Sequence, residues 1–194
     1  MYHELPRGAS LWPFLLSVDQ DLAQTTRQKT CSCGGRLHCA NYPRKPRGSG
    51  EKLPPEYRYR FSFCCDRDGC RKRMTPPSVR FLGRKVYLAA VVVLVSAMRQ
   101  GPTPRRAREL SELFGADRRT IARWQLFWRE QFPQLPFWKV ARGRLLLTAT
   151  VLLLPRSLLE VFFRGHDPCR DWARLLRFLS PITTTSGLSS EVSG

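Results

Sequence analysis

Six of the seven cysteines fall between Cys31 and Cys70, and thiols gathered at that density are suited to holding a metal ion. Zinc takes four nitrogen or sulfur ligands in a tetrahedron. A ribbon supplies them as two close pairs on tight turns that a hairpin brings together. Cys31 with Cys33, and Cys65 with Cys70, form two such pairs. Gly34 and Gly35 follow the first and Gly69 sits inside the second, where glycine's freedom at positive φ suits a turn that aims backbone amides at a thiolate. The first pair is C-x-C rather than the commoner C-x-x-C, and the interval from Gly34 to Cys64 is long, as an inserted basic loop would make it. Cys64 competes with Cys65 as ligand, and His38 or Cys39 could replace a member of the first pair. Strand alternation favours Cys65. The expectation is one structural Zn2+ held by Cys31, Cys33, Cys65 and Cys70. Unliganded thiols and a disulfide framework are the alternatives, and the odd cysteine count argues against the second. Cys169 stands alone near His166 and Pro168, and reads as structural rather than nucleophilic.

A second group of residues could do recognition chemistry. From Ala107 to Trp124, Ser111, Gly115, Ile121 and Trp124 occupy the spacings of a helix-turn-helix: a small residue at the helix crossing, a glycine in the turn, and apolar residues on the inner face of the second helix. Leu110 and Phe114 fill adjoining core positions. With Ile121, Trp124 and Trp128 inward, the outward face shows Arg118, Arg119, Thr120 and Arg123, which could enter a major groove. Arginine can bond both acceptors of a guanine edge, and threonine can touch a thymine methyl or a phosphate. Arg105, Arg106 and Arg108 on the preceding helix, and Arg44, Lys45 and Arg47 in the loop, would contact phosphates without reading sequence. An ordinary helical hairpin with a solvated basic face is the competing interpretation.

Elements must position these groups. Tyr57, Tyr59, Phe61 and Phe63 alternate with Arg58, Arg60 and Ser62, predicting a half-buried strand with aromatics inward and arginines outward. Arg71 to Arg73 would continue into a return strand stopped by Pro76 and Pro77. Three helices are predicted next: Val86 to Met98; Pro104 to Phe114, capped by Thr103; and Arg118 to Gln131, capped by Asp117. Further helices are expected at Arg156 to Phe163 and Cys169 to Leu179. In the first 30 residues, Ser17 to Gln20 could cap a short helix. The fold class expected is α+β, a small zinc-ribbon hairpin unit followed by a mainly helical helix-turn-helix domain. Its parts would be an N-terminal segment (1–30), the ribbon (31–78), the three-helix domain (79–135), a helical extension (136–179) and a disordered polar tail (180–194).

Thirty-three Lys plus Arg against fifteen Asp plus Glu give a net charge of +18, and an excess of that size calls for an acidic partner. Double-stranded DNA is the partner expected. An RNA- or ribosome-associated basic ribbon protein is the alternative. An anionic membrane surface is disfavoured, because no stretch joins a broad apolar face to a basic one. The apolar run Val86 to Met98 is shorter than the roughly 20 residues that span a bilayer. Charged and proline residues in Met1 to Ser10 do not have the order of an export signal, so a cytoplasmic, nucleoid-associated location with reduced thiols is expected.

The order of these parts resembles the N-terminal half of bacterial insertion-sequence transposases. The resemblance is carried by the aromatic strand Tyr57 to Cys70, the Thr-Pro-Pro-Ser-Val link Thr75 to Val79, the segment Phe81 to Lys85, the apolar helix and the helix-turn-helix, and it covers Cys31 to Phe132. It implies a zinc ribbon and helix-turn-helix that bind the ends of a mobile element, with a separate transposase or recombinase chain as a further partner. Such transposases continue into an RNase H-like domain presenting three carboxylates to two metal ions. After Gln131 this sequence has Glu160, Asp167, Asp171 and Glu191, so strand-transfer catalysis within it is not expected.

Overall fold

A computed structural model describes residues 11–44, 54–81, 118–145, 154–163 and 167–184. The predicted helices Val86 to Met98 and Pro104 to Phe114 lie outside those residues, as do the turn of the helix-turn-helix, Lys45, Arg105 and Arg106. The class is α+β, as expected: small antiparallel sheets in the N-terminal half and several helices.

The chain enters as a helix, α1 (Leu11–Arg27), far longer than the short capped helix expected there. Ser17 to Gln20 lie in its middle. Ser17 donates to the Phe14 carbonyl three residues back, and Asp19 is buried, so neither serves as a cap. Next come strands β1 (Leu37–Cys39), β2 (Tyr42–Pro43), β3 (Tyr59–Arg60), β4 (Phe63–Cys65) and β5 (Arg73–Met74). One sheet has the order β1-β4-β5 and a second pairs β2 with β3, all antiparallel. Leu37 stands opposite Cys65 and Cys39 opposite Phe63. The second ladder prolongs the first through the Ala40 amide on the Ser62 carbonyl at 2.8 Å and the Arg44 amide on the Arg58 carbonyl at 2.7 Å. The long interval between cysteine pairs is thus partly hairpin.

The single strand predicted over Tyr57 to Phe63 is divided. Pro55–Tyr57 is a 3-10 turn, and a break at Phe61 and Ser62 separates β3 from β4. The inward-aromatic, outward-arginine pattern fails at Arg60, which is buried beside buried Ser62. Proline carbonyls have no strand partner here, and the Arg60 guanidinium satisfies them by donating to Pro76 at 2.5 Å and Pro77 at 3.5 Å. Burial lowers the Arg60 pKa to about 10, with the Asp19 charge opposing.

Helix α2 (Arg118–Leu126) continues as one π-helical turn, Phe127–Gln131, along the predicted span. Ile121, Trp124 and Trp128 are buried, as their spacing predicts. Helices α3 (Pro136–Ala141), α4 (Arg156–Phe162) and α5 (Pro168–Leu179) follow. The side chain of Asp167 caps α5 by accepting from the Arg170 amide at 3.2 Å. A 3-10 turn, Ser180–Thr183, buries Ser180, Ile182 and Thr183, so the expected polar tail does not begin at Ser180; residues 185–194 lie outside the described ones.

Two cores result. The larger joins α1, Val79, α2 and α3 to α4, α5 and the final turn, with Trp128, Trp138 and Trp172 fully buried. Trp128, Phe132 and Trp138 stack in sequence at centroid distances of 4.5 and 5.0 Å. The smaller holds Ala23, Cys31, Leu37, Phe63 and Cys65. Because α1 sends Leu11, Leu15 and Val18 into the first and Ala23 into the second, it splints them. A buried ion pair fastens the joint: Arg80 Nε meets Asp19 Oδ2 at 2.7 Å, and both side chains are wholly excluded from solvent. Asp19 also accepts from the Ser78 hydroxyl and the Val79 amide, each at 2.6 Å, while Arg80 reaches the carbonyls of Tyr57 and Tyr59. Nearly every valence of the pair is used, as a buried pair requires.

Candidate metal centre

The first cysteine turn precedes β1 and the second joins β4 to β5, so sheet pairing carries both to one end of the ribbon. In the first, the Gly34 amide donates to the Cys31 carbonyl at 2.8 Å and the Cys31 amide to the Gly35 carbonyl at 2.9 Å. Gly34 has φ +83° and Gly69 φ +80°, the left-handed region anticipated for both turns. Gly35 is required for a different reason. A Cβ there would lie 2.5 Å from Cys65 Sγ and 2.9 Å from Asp66 Oδ1. Only bare backbone fits against that sulfur.

The sulfurs of Cys31, Cys33, Cys65 and Cys70 all lie within 4.8 Å of one another, and this cluster could hold a metal ion. Cys31 and Cys70 are 3.8 Å apart, Cys33 and Cys65 3.4 Å. Ligands about 2.3 Å from a tetrahedral centre stand about 3.8 Å from each other, so the spacing matches one ion. Each thiol also accepts a backbone N–H from two residues onward: Cys31 from Cys33, Cys33 from Gly35, Cys65 from Arg67 and Cys70 from Lys72. Four equivalent donors aimed at four sulfurs favour thiolates.

The two halves differ in proton affinity. The Cys33 amide, opposed by burial, brings Cys31 down to about 6, and the Gly35 amide lowers Cys33. In Cys65 the Arg67 amide pulls downward, but burial and the hydrogen bonds with Cys33 and Cys31 push the thiol up to about 12. Cys70 is raised as well: the Lys72 amide lowers it, and the Cys33 thiol and burial outweigh that.

The four favoured cysteines are the ones brought together, and the three alternatives stand apart. Cys64 donates to the Arg71 carbonyl at 3.3 Å, His38 faces Asp66 at 3.5 Å, and Cys39 is exposed. All seven thiols are free of disulfides.

The recognition residues are less uniformly placed. Arg119 and Arg123 are exposed on α2. Thr120, expected beside them, is buried and accepts from Arg123 at 3.0 Å, because one residue before Ile121 the helix surface already turns inward. Arg118 opens the helix. Arg44 is half-buried with its guanidinium 5.6 Å from the Phe81 ring centroid. The carboxylates after Gln131 serve the fold: Glu160 pairs with Arg156, Asp167 caps α5, and buried Asp171 faces Arg174. Glu191 lies outside the described residues. Sequence reading missed Asp19 and Arg80, whose partners are separated by 61 residues with no local pattern to announce them. No helix of the described residues is long and apolar enough to cross a membrane.

Compared with family models, curated proteins and solved structures, the chain matches none.

Proposed function

We propose that this chain is a DNA-binding protein of the kind that forms the recognition part of insertion-sequence transposases, with one structural Zn2+ on Cys31, Cys33, Cys65 and Cys70. An all-thiolate tetrahedral set selects zinc or iron over hard cations such as magnesium, and two close cysteine pairs on tight turns are the usual form of a structural zinc site. The ion would tie the two cysteine turns together. DNA would be held by the helix Arg118–Gln131 and by general charge.

The observation that carries the reading is the division of α2 into two faces: Ile121, Trp124 and Trp128 are packed inward, while Arg119 and Arg123 stay exposed on a rigid support. Arginines on a fixed helix can meet guanine edges in register, which a flexible basic tail cannot do. The net charge of +18 supplies the sequence-independent attraction. The site sought is a mobile-element end, with a separate transposase or recombinase chain as the partner that acts there.

The test is selection from a random duplex library followed by titration of the chosen site, with metal analysis of the same preparation. One zinc per chain and a preferred sequence are expected, and Arg119→Ala or Arg123→Ala should each cost about 1–3 kcal/mol of preference. Equal losses on chosen and scrambled duplexes would remove groove reading. Tighter binding to structured RNA than to any duplex would move the assignment to an RNA-associated protein. Iron in place of zinc would correct the cofactor.

A further inference from the structure

A cleft of about 410 Å³ opens where α1 ends and β1 begins. Buried Leu37 lines it together with Arg27, Lys29, Thr30, Arg36 and His38. None of these residues belongs to the cysteine cluster or to α2.

The cleft stands out by gathering several cations on one concavity. Many other described guanidiniums are spent on the fold: Arg80 on Asp19, Arg60 on two proline carbonyls, Arg73 on Ala40 and Ser62, Arg67 on Cys33, and Arg177 on Asp21. Exposed Arg119 and Arg170 are not, but neither lines this cleft. The side chains of Arg27, Lys29 and Arg36 have no ion-pair or hydrogen-bond partner among the described residues. They are exposed and converge from two elements on one concavity. The nearby carboxylate is Asp66, already engaged by the Arg36 amide at 2.8 Å and His38 Nε2 at 3.5 Å. The α1 C-terminus adds the equivalent of about half a negative charge, which three cations outweigh.

We infer that this cleft binds a phosphate oxyanion, either a phosphodiester of a nucleic-acid backbone or a free polyphosphate. Arginine and lysine donors gathered on a polar concavity suit tetrahedral oxyanions with several acceptors, and Thr30 adds a hydroxyl within the same lining. A base edge is a poor fit, since it needs a planar donor pattern rather than convergent charge. In its nucleic-acid form the inference rests on the proposed DNA binding, and it assigns the ribbon side to the backbone while α2 reads sequence.

The experiment titrates full-length, metal-loaded protein with a duplex and, separately, with tripolyphosphate, over a series of salt concentrations. The substitutions Arg27→Gln, Lys29→Gln and Arg36→Gln are combined in one variant. A second carries Arg27→Gln and Lys29→Gln alone, leaving the ribbon untouched. Arg170→Gln, an exposed cation on α5, is the control. For the triple variant, duplex affinity is expected to fall about tenfold on chosen and scrambled sequences alike. The slope of log affinity against log salt should shrink by about 3. The double variant should lose about two thirds as much on the logarithmic scale, and the control should be unchanged.

If the parent ignores duplexes yet binds tripolyphosphate in a way that the same substitutions abolish, the cleft stands with a free anion as its ligand and the DNA reading falls. If the parent binds duplex and both variants match it in affinity and slope, the cleft is overturned and the DNA reading survives. Indifference of every variant to both ligands also overturns it.

Discussion

The ribbon and the helical body solve the same problem with different means. The helical body buries a continuous apolar core that includes three fully buried tryptophans, and apolar burial at about 25 cal/mol per Å² is enough to hold such a unit. Among the described residues the ribbon's core has five buried members, two of them cysteines that belong to the candidate metal cluster, with Cys33, Phe61, Cys70 and Met74 packed against it. Units of that size seldom fold alone without a metal or cross-link. Stability in one region is therefore spread over many contacts, and with the proposed ion bound it would be concentrated at a point in the other.

The largest effect is expected from withholding the ion proposed for the cysteine cluster. A zinc-selective chelator should unfold the ribbon while the helical signal in circular dichroism largely persists, because structural zinc contributes about 10–16 kcal/mol in small domains. Hydrogen exchange would show the split: amides of β1, β4 and β5 lose protection, those of α2 and α5 keep it. A single transition that melts both would mean that the two cores are one cooperative unit.

Next in size is the joint. Asp19→Ala leaves Arg80 buried without its counter-charge and should cost about 3–5 kcal/mol. In a chain of this length that lowers Tm by roughly 10 °C. Pairing it with Arg80→Met should recover a large part. Calorimetry checks both, and an unchanged Tm in the single variant would deny the ion pair its role.

Protons would compete with the proposed ion for the same sulfurs. With Cys65 at about 12 and Cys70 raised, both enter the metal-free site as thiols at pH 7 to 8, so binding must expel protons. Affinity should therefore rise with pH, by about 100-fold per unit if two protons leave. Calorimetric titration in buffers of different ionisation enthalpy counts them. Gly35→Ala drives a Cβ against the Cys65 sulfur and should weaken metal binding about 10- to 100-fold, the usual penalty for disturbing a ligand's support. The helical Tm should stay in place. Smallest is Cys64→Ser, which should keep full metal content and shift stability by about 1 kcal/mol or less. A loss of metal there would reassign the ligand.

How far the sequence disclosed these regions follows from how local their causes are. The four metal-site cysteines, the glycine turns, the inner face of α2 and the helices near Arg156 and Cys169 were legible because each is set by spacing over a few residues. Arg60 was misread because its exposure is decided by carbonyls 16 and 17 residues away. Thr120 was misplaced because a helix has a border between its faces that a list of polar residues does not mark. Helix α1 was underestimated for another reason. Reading Ser17 to Gln20 as a helix start interrupted the one face on which Leu11, Leu15, Val18, Asp19, Ala23 and Thr26 are buried.

The splint has a consequence for the order of events during synthesis. Asp21 on α1 pairs with Arg177 on α5, 156 residues later, and the Ser78 amide waits for the Thr183 hydroxyl, 105 residues later. Contacts of such sequence separation form late and slow the search for the native state. A nascent chain thus holds α1 without its last partners until Thr183 clears the ribosome, and during that interval the core around Leu11, Leu15 and Val18 lacks what α5 and the final turn contribute. The ribbon, whose sulfurs belong to residues no more than 39 apart, can close long before.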